Sequence, residues 1–252
     1  MPDTKENPEH FHGKDAIGHV AEAKAQGLLS STEIHGAEIP GHISSFADSA
    51  RETAIALLMI WVVLVKFNFQ NLTPIIAIFS LGWMMWKGGR SAWFGWSRLE
   101  RMHRVVEQER WEIQHHRGQE REELKELYRA KGLEGKLLDD VMDVLMADED
   151  RLLRIMVVEE LCLTLETNEH PLKQGIGAAL GVLATFLLCY GLIYLSPIYG
   201  IWIGSVLAIG ISSLISANFE GNKRIPAVIW NLGIAALAVG SIYFLIDYIT
   251  PK

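Results

Sequence analysis

Residues 98–170 read RLERMHRVVEQERWEIQHHRGQEREELKELYRAKGLEGKLLDDVMDVLMADEDRLLRIMVVEELCLTLETNEH. The stretch carries 19 of the chain's 30 Asp and Glu and 12 of its 23 Lys and Arg, so its formal charge of −7 equals that of the whole chain. Hydrophobic segments flank it on both sides. A charged helical block framed by apolar helices reads as the water-facing domain of a membrane protein, and its carboxylates are where a cation would bind.

Composition supports this frame. Half of the 252 residues are hydrophobic, and they cluster into runs of the length that crosses a bilayer, about 18 residues or more. The acidic balance speaks against nucleic acid as a partner, which needs a basic face. The two cysteines, Cys162 and Cys189, lie in different contexts, so neither a disulfide nor a thiolate metal site is expected. The N-terminus lacks the basic start and short apolar core of a signal peptide.

The predicted architecture is all-α: an integral membrane protein with five transmembrane helices and a helical cytoplasmic metal-binding domain. Residues 1–45 are expected to form a flexible cytoplasmic tail, with His10, His12, His19, His35 and His42 at no chelating helical spacing. Residues 46–97 hold the first two spans. The first covers 46–67, with Asp48 and Glu52 at its entry. The second begins near Pro74, and Lys87 and Arg90 mark its far interface. Trp83, Trp86, Trp93 and Trp96 share a face, as an interfacial aromatic belt or a packing seam. No strong breaker precedes Gly118, so this helix is expected to run on into the charged block and end there.

Within residues 98–170, further helices are expected over 119–130, 133–146 and 149–163. Gly132 is the stop of the first, and Leu137, Val141, Val144 and Leu145 line one side of the second. Asp148 is the N-cap of the third. Residues 171–252 hold three more spans, at 172–195, 199–217 and 226–249. Lys87, Arg90, Arg98, Arg101, Lys223 and Arg224 lie on one side, against Lys66 and Lys252 on the other. The positive-inside rule therefore places the charged block and the N-terminus in the cytoplasm.

Two Glu-x-x-Glu steps carry the chemistry: Glu109/Glu112 and Glu120/Glu123. Carboxylates three apart share a helix face. Brought together without a cation they repel, and a divalent ion relieves that repulsion. Met156 and Glu160, four apart, add a thioether beside a carboxylate, which suits Fe(II) or another transition metal better than magnesium or calcium. The alternative is a solvated charged face, the usual role of such pairs. Glu112 and His115 form one Glu-x-x-His step, but a ferritin-like di-iron oxidase site needs two, and the sequence has no second.

Glu109, Glu112, Glu120 and Glu123 at spacings of 3, 8 and 3, then EELKELYRAKGL (residues 122–133), then Met156 and Glu160 in MVVEELCL, resemble the cytoplasmic metal-binding domain of the vacuolar iron transporter family. The last three spans and the basic turn at 222–224 resemble it too. The resemblance implies a five-span homodimer that moves Fe(II), and often Mn(II), out of the cytoplasm in exchange for protons, for iron storage or detoxification. The metal is then cargo, with no permanently bound cofactor and no covalent chemistry to call an enzyme. The implied ligands are Glu109, Glu112, Glu120, Glu123, Met156 and Glu160. The implied membrane is the plasma (inner) membrane in a bacterium or the vacuolar membrane in a eukaryote.

Two features depart from the family pattern. The ligand position beside Met156 is Val157. The second helix, SLGWMMWKGGRSAWFGW, lacks the family's intramembrane carboxylate, and such acids usually mark ion or proton paths. The nearest substitutes are Asp48 and Glu52, with Met59, Met84 and Met85 as soft ligands. The first two could equally be a helix cap and the methionines packing residues. A second function therefore stands beside transport: a membrane-tethered metal buffer or sensor that has lost the transport path.

Overall fold

The computed structural model describes residues 41–159 and 169–250, which are helical with short turns between the helices. The chain divides into two compact units. Among the described residues, one contains 98–159, and the other 41–97 and 169–250.

In the second, apolar unit, α1 covers Gly41–Lys66. Helix α2 covers Leu72–His115, and its residues up to 97 belong to this unit. Between them, Asn68 and Asn71 adopt left-handed φ values of 53° and 58°, a region that asparagine tolerates better than most residues. Pro74 falls in the first turn of α2, where its missing N–H has no intrahelical role. Three helices follow: α6 at Pro171–Leu195, α7 at Gly200–Phe219 and α8 at Arg224–Ile249. Pro171 is the first helical residue of α6, and the His170 ring accepts a hydrogen bond from the Leu172 N–H at 3.2 Å.

Among the described residues, α6, α7 and α8 are long and apolar enough to cross a membrane. Asp48, Arg51 and Glu52 interrupt the apolar run in α1, and tryptophans, glycines and Lys87 dilute that in α2. Nevertheless α1 packs against α6, α7 and α8. Small residues make this possible. A β-carbon on Gly177 would collide with the His42 carbonyl, and one on Gly181 with the Phe46 carbonyl. This glycine pair, four apart, brings α6 against the α1 backbone, the close approach that small residues permit between membrane helices. Hydroxyls fill other inward positions, among them Thr53, Thr185, Ser205 and Ser212. Thr185 Oγ1 donates to the Ala50 carbonyl at 3.3 Å and so links α6 to α1.

In the charged unit, the rest of α2 runs to His115, followed by α3 at Arg117–Ala130, α4 at Gly135–Met146 and α5 at Glu149–Glu159. The break after α2 falls at His116, not at Gly118. The His116 N–H closes the last turn on the Glu112 carbonyl at 2.7 Å, and its own carbonyl accepts from the Gln119 N–H at 2.8 Å. One residue with φ −125° and ψ 31° thus ends one helix and starts the next. Gly118 sits in the first turn of α3, where amide groups lack intrahelical acceptors and a glycine costs little.

Gly132, at φ +92°, stops α3 as expected. The following helix starts at Gly135 rather than 133, because Glu134 is extended. Asp148 caps α5, accepting from the Arg151 N–H at 2.7 Å. The buried side of α4 differs from the expected one: Leu138 and Met142 are buried, whereas Leu137 and Val144 are 63% and 59% exposed. Val141 and Leu145 pack partly against the core. The apolar residues of α4 spread around too much of the helix to fix its inward face by periodicity alone. That core joins Ile113 of α2, Leu124 and Leu127 of α3, Leu138 and Met142 of α4, and Leu152, Met156 and Val157 of α5.

Candidate metal centre

Helix α3 sorts its charges by direction. Arg121 donates to Asp143 at 2.7 Å and Lys125 to Asp139 at 2.8 Å, joining α3 to α4 on the water-facing side. The Lys125 bond, then its charge, holds the Asp139 carboxyl below the usual carboxylate range. The other side of α3 is built from Glu120, Glu123, Leu124 and Leu127, all buried. Their spacing of i, i+3, i+4 and i+7 is that of the core stripe of an amphipathic helix. Two positions of that stripe are therefore glutamates, each 1% exposed.

Helix α2 contributes in the same way. Glu109 is 5% exposed and Ile113, four residues on, 1%. Glu112 is half-buried and accepts from the Gln108 amide at 3.1 Å. Met156 of α5 is fully buried in the same unit's core. Burying a carboxylate costs several kcal/mol unless charge or hydrogen bonds compensate. Exposed Glu122, between the two buried glutamates, illustrates the ordinary alternative.

Glu160 and Cys162 lie outside the described residues, as do the histidines from His10 to His35. Among the described residues, no three His, Cys, Asp or Glu side chains group closely enough to hold a metal ion. His115 stacks on Trp111, with ring centroids 4.4 Å apart, and its Nδ1 donates to the Trp111 carbonyl at 2.8 Å.

The apolar unit separates its candidates. Asp48 forms an ion pair with Arg51 on its own helix. Glu52 pairs with Lys87 of α2 at 2.5 Å. Met84 is half-buried, Met85 is 72% exposed, and Met59 packs beside Leu58, Val62 and Val239. The tryptophans divide: Trp83 donates to Thr53 Oγ1 at 3.2 Å, whereas Trp86, Trp93 and Trp96 are exposed.

Sequence reasoning missed Lys87. Read as an interface marker, it is 6% exposed. The available signal was a lone lysine after thirteen residues, 74–86, without a charge. It also missed the union of His42 with Glu169, whose carboxylate accepts from the His42 backbone N–H at 2.7 Å and pairs with its ring.

No curated protein matches the chain. The sequence pattern of the VIT family matches residues 95–247, more than half of the chain. The match covers the buried glutamates of α2 and α3, Met156 and the three apolar helices, and leaves out α1 and most of the apolar part of α2. This is a family of proteins that carry metal ions across membranes. The chain therefore belongs to the vacuolar iron transporter (VIT) family.

Proposed function

We propose that this protein moves Fe(II), and Mn(II) with it, out of the cytoplasm in exchange for protons. Glu109, Glu112, Glu120, Glu123, Met156 and Glu160 collect the ions. The observation that carries this reading is the burial of Glu109, Glu120 and Glu123 at core-facing positions on two successive helices, in a unit whose core includes Met156. Carboxylate oxygens with a thioether suit a borderline divalent ion. Such an ion offsets like charges that water does not reach. Carboxylates also bind protons, so the same groups can exchange one cargo for the other.

The spanning arrangement in this proposal has five helices, with α1 and the first part of α2 beside α6, α7 and α8. At 1.5 Å per residue, the 26 residues of α1 extend about 39 Å, enough for a hydrocarbon core of about 30 Å. The charged unit faces the cytoplasm, because the loops that carry Arg98, Arg101, Lys223 and Arg224 fall on one side of the five spans and the positive-inside rule makes that side cytoplasmic. The working unit is a homodimer, in the plasma membrane of a bacterium or the vacuolar membrane of a eukaryote.

The test is Fe(II) and Mn(II) flux into proteoliposomes carrying the full chain, with a pH-sensitive dye inside and an imposed proton gradient. Flux that scales with the gradient and moves protons the other way is the expected result. Changing Glu120→Gln with Glu123→Gln lowers Mn(II) affinity by about tenfold or more, each tenfold being about 1.4 kcal/mol. Unchanged affinity would remove these residues from the site. A second reading, a membrane-tethered metal buffer or sensor, is favoured by the pairing of Asp48 with Arg51 and Glu52 with Lys87. It predicts the same affinities with no net flux.

A further inference from the structure

The seam between α1 and the first part of α2 is polar at three levels. Ser91 Oγ donates to Ser45 Oγ at 2.9 Å, Lys87 Nζ to Glu52 Oε2 at 2.5 Å, and Trp83 Nε1 to Thr53 Oγ1 at 3.2 Å. The middle level carries charge, and its two members are unequally placed. The Lys87 side chain is 7% exposed and that of Glu52 is 47%. Lys87 lies about 22 Å along α2 from its start at 1.5 Å per residue, inside the span of about 30 Å needed to cross hydrocarbon.

An ammonium so far from water requires an acid, and the one it meets among the described residues is Glu52. Lys87 is the more enclosed partner, and without Glu52 it would be an uncompensated buried charge. The other charges nearby are engaged elsewhere: Asp48 pairs with Arg51, and the Arg90 guanidinium lies 4.9 Å over the Phe94 ring.

We propose that Lys87 is a tethered cation that occupies Glu52 and withholds it from divalent metal ions, making Lys87 a specificity-determining residue of the α1–α2 seam. The ammonium cannot diffuse away, so an incoming ion must displace a partner held permanently at contact distance. Glu52 then becomes a ligand only when Lys87 leaves its buried position. The effect on flux rests on the transport reading above; the competition for Glu52 does not.

Two measurements on the full chain in lipid separate these. The first is the rate at which dicyclohexylcarbodiimide, a reagent for carboxyl groups in apolar surroundings, labels Glu52, mapped by peptide mass spectrometry with and without Mn(II). The wild type is expected to label slowly and without response to Mn(II). Lys87→Met labels several-fold faster and is slowed by Mn(II), and Lys87→Arg behaves as the wild type. Protection of Glu52 by Mn(II) in the wild type overturns the proposal even if Lys87→Met fails to fold. Equal labelling in a folded Lys87→Met overturns it too.

The second measurement is Mn(II) flux, expected to rise several-fold in Lys87→Met and to lose that gain in Lys87→Met with Glu52→Gln. Mn(II) protection in Lys87→Met without flux in any variant upholds the competition and removes the transport reading. Gradient-driven flux that Lys87→Met leaves unchanged, with unchanged labelling, does the reverse.

Discussion

Glu169 lies two residues before α6, where its carboxylate meets the His42 backbone N–H at 2.7 Å, the His42 ring and the Lys173 ammonium at 3.1 Å. Burial raises its pKa, but the bonds from Lys173 and His42 outweigh this and hold it below the ordinary carboxylate value of 4.5. A carboxylate depressed on folding adds stability above its unfolded pKa and loses it as the pH falls through its folded pKa. The melting temperature of the protein in detergent should therefore fall as the pH drops below about 4.5, and Glu169→Gln should flatten that fall. An identical slope in the variant would mean that Glu169 adds nothing to it. Both His42 and Glu169 are unremarkable in the sequence, because their meeting depends on how α1 packs against the start of α6. Gly132 and Asp148 were legible because a helix stop and an N-cap are local chemistry.

At the scale of elements, the helices of the charged unit were readable from their punctuation, but their faces were less so. Helix α4 has apolar side chains at 137, 138, 141, 142, 144, 145 and 146, which is too wide a stripe to choose an inward edge. The structure turns Leu138 and Met142 inward. Met142→Ala should therefore cost about 2–5 kcal/mol, as other large-to-small core changes do. Leu137→Ala should stay within about 0.5 kcal/mol, the usual range for surface changes. Denaturant unfolding of the full chain, followed by hydrogen exchange in α4, checks both. Helix α3 poses the opposite case. The Glu-x-x-Glu spacing identified Glu120 and Glu123 as a pair on one face, but spacing alone could not tell an exposed pair from a buried one. The neighbouring Leu124 and Leu127 decide it, since they complete a core stripe with the two glutamates.

For the whole molecule, the family resemblance ended where the matched region ends. The apolar part of α2 diverges, and there the one sign that Lys87 would be buried is its place after an uncharged run, 74–86. A site that binds metal only in the folded chain stabilises it by mass action, about 2.7 kcal/mol at a hundredfold excess over the dissociation constant. Mn(II) should therefore raise the melting temperature of the wild type, and a chelator should reverse the rise. Glu120→Gln with Glu123→Gln should lose most of it. An equal rise in that variant would locate the stabilising ion elsewhere.

The contact of Gly177 and Gly181 with the backbone of α1 has a mechanical consequence. Two helices that touch through their main chains have no flexible side chains between them to absorb a rotation or a slide. They behave as one post. If this protein opens alternately to the two sides of a membrane, α1 and α6 are the stationary part. Gly175 of α6 meets the Gly88 carbonyl of α2 in the same way, so α2 joins the post beside the Lys87–Glu52 level. The motion then belongs to a helix held to α1 by side chains, such as α8, whose Val239 packs on Leu58 and Val62. A chemical staple joining α1 to α6 would leave turnover intact, whereas one joining α1 to α8 would stop it.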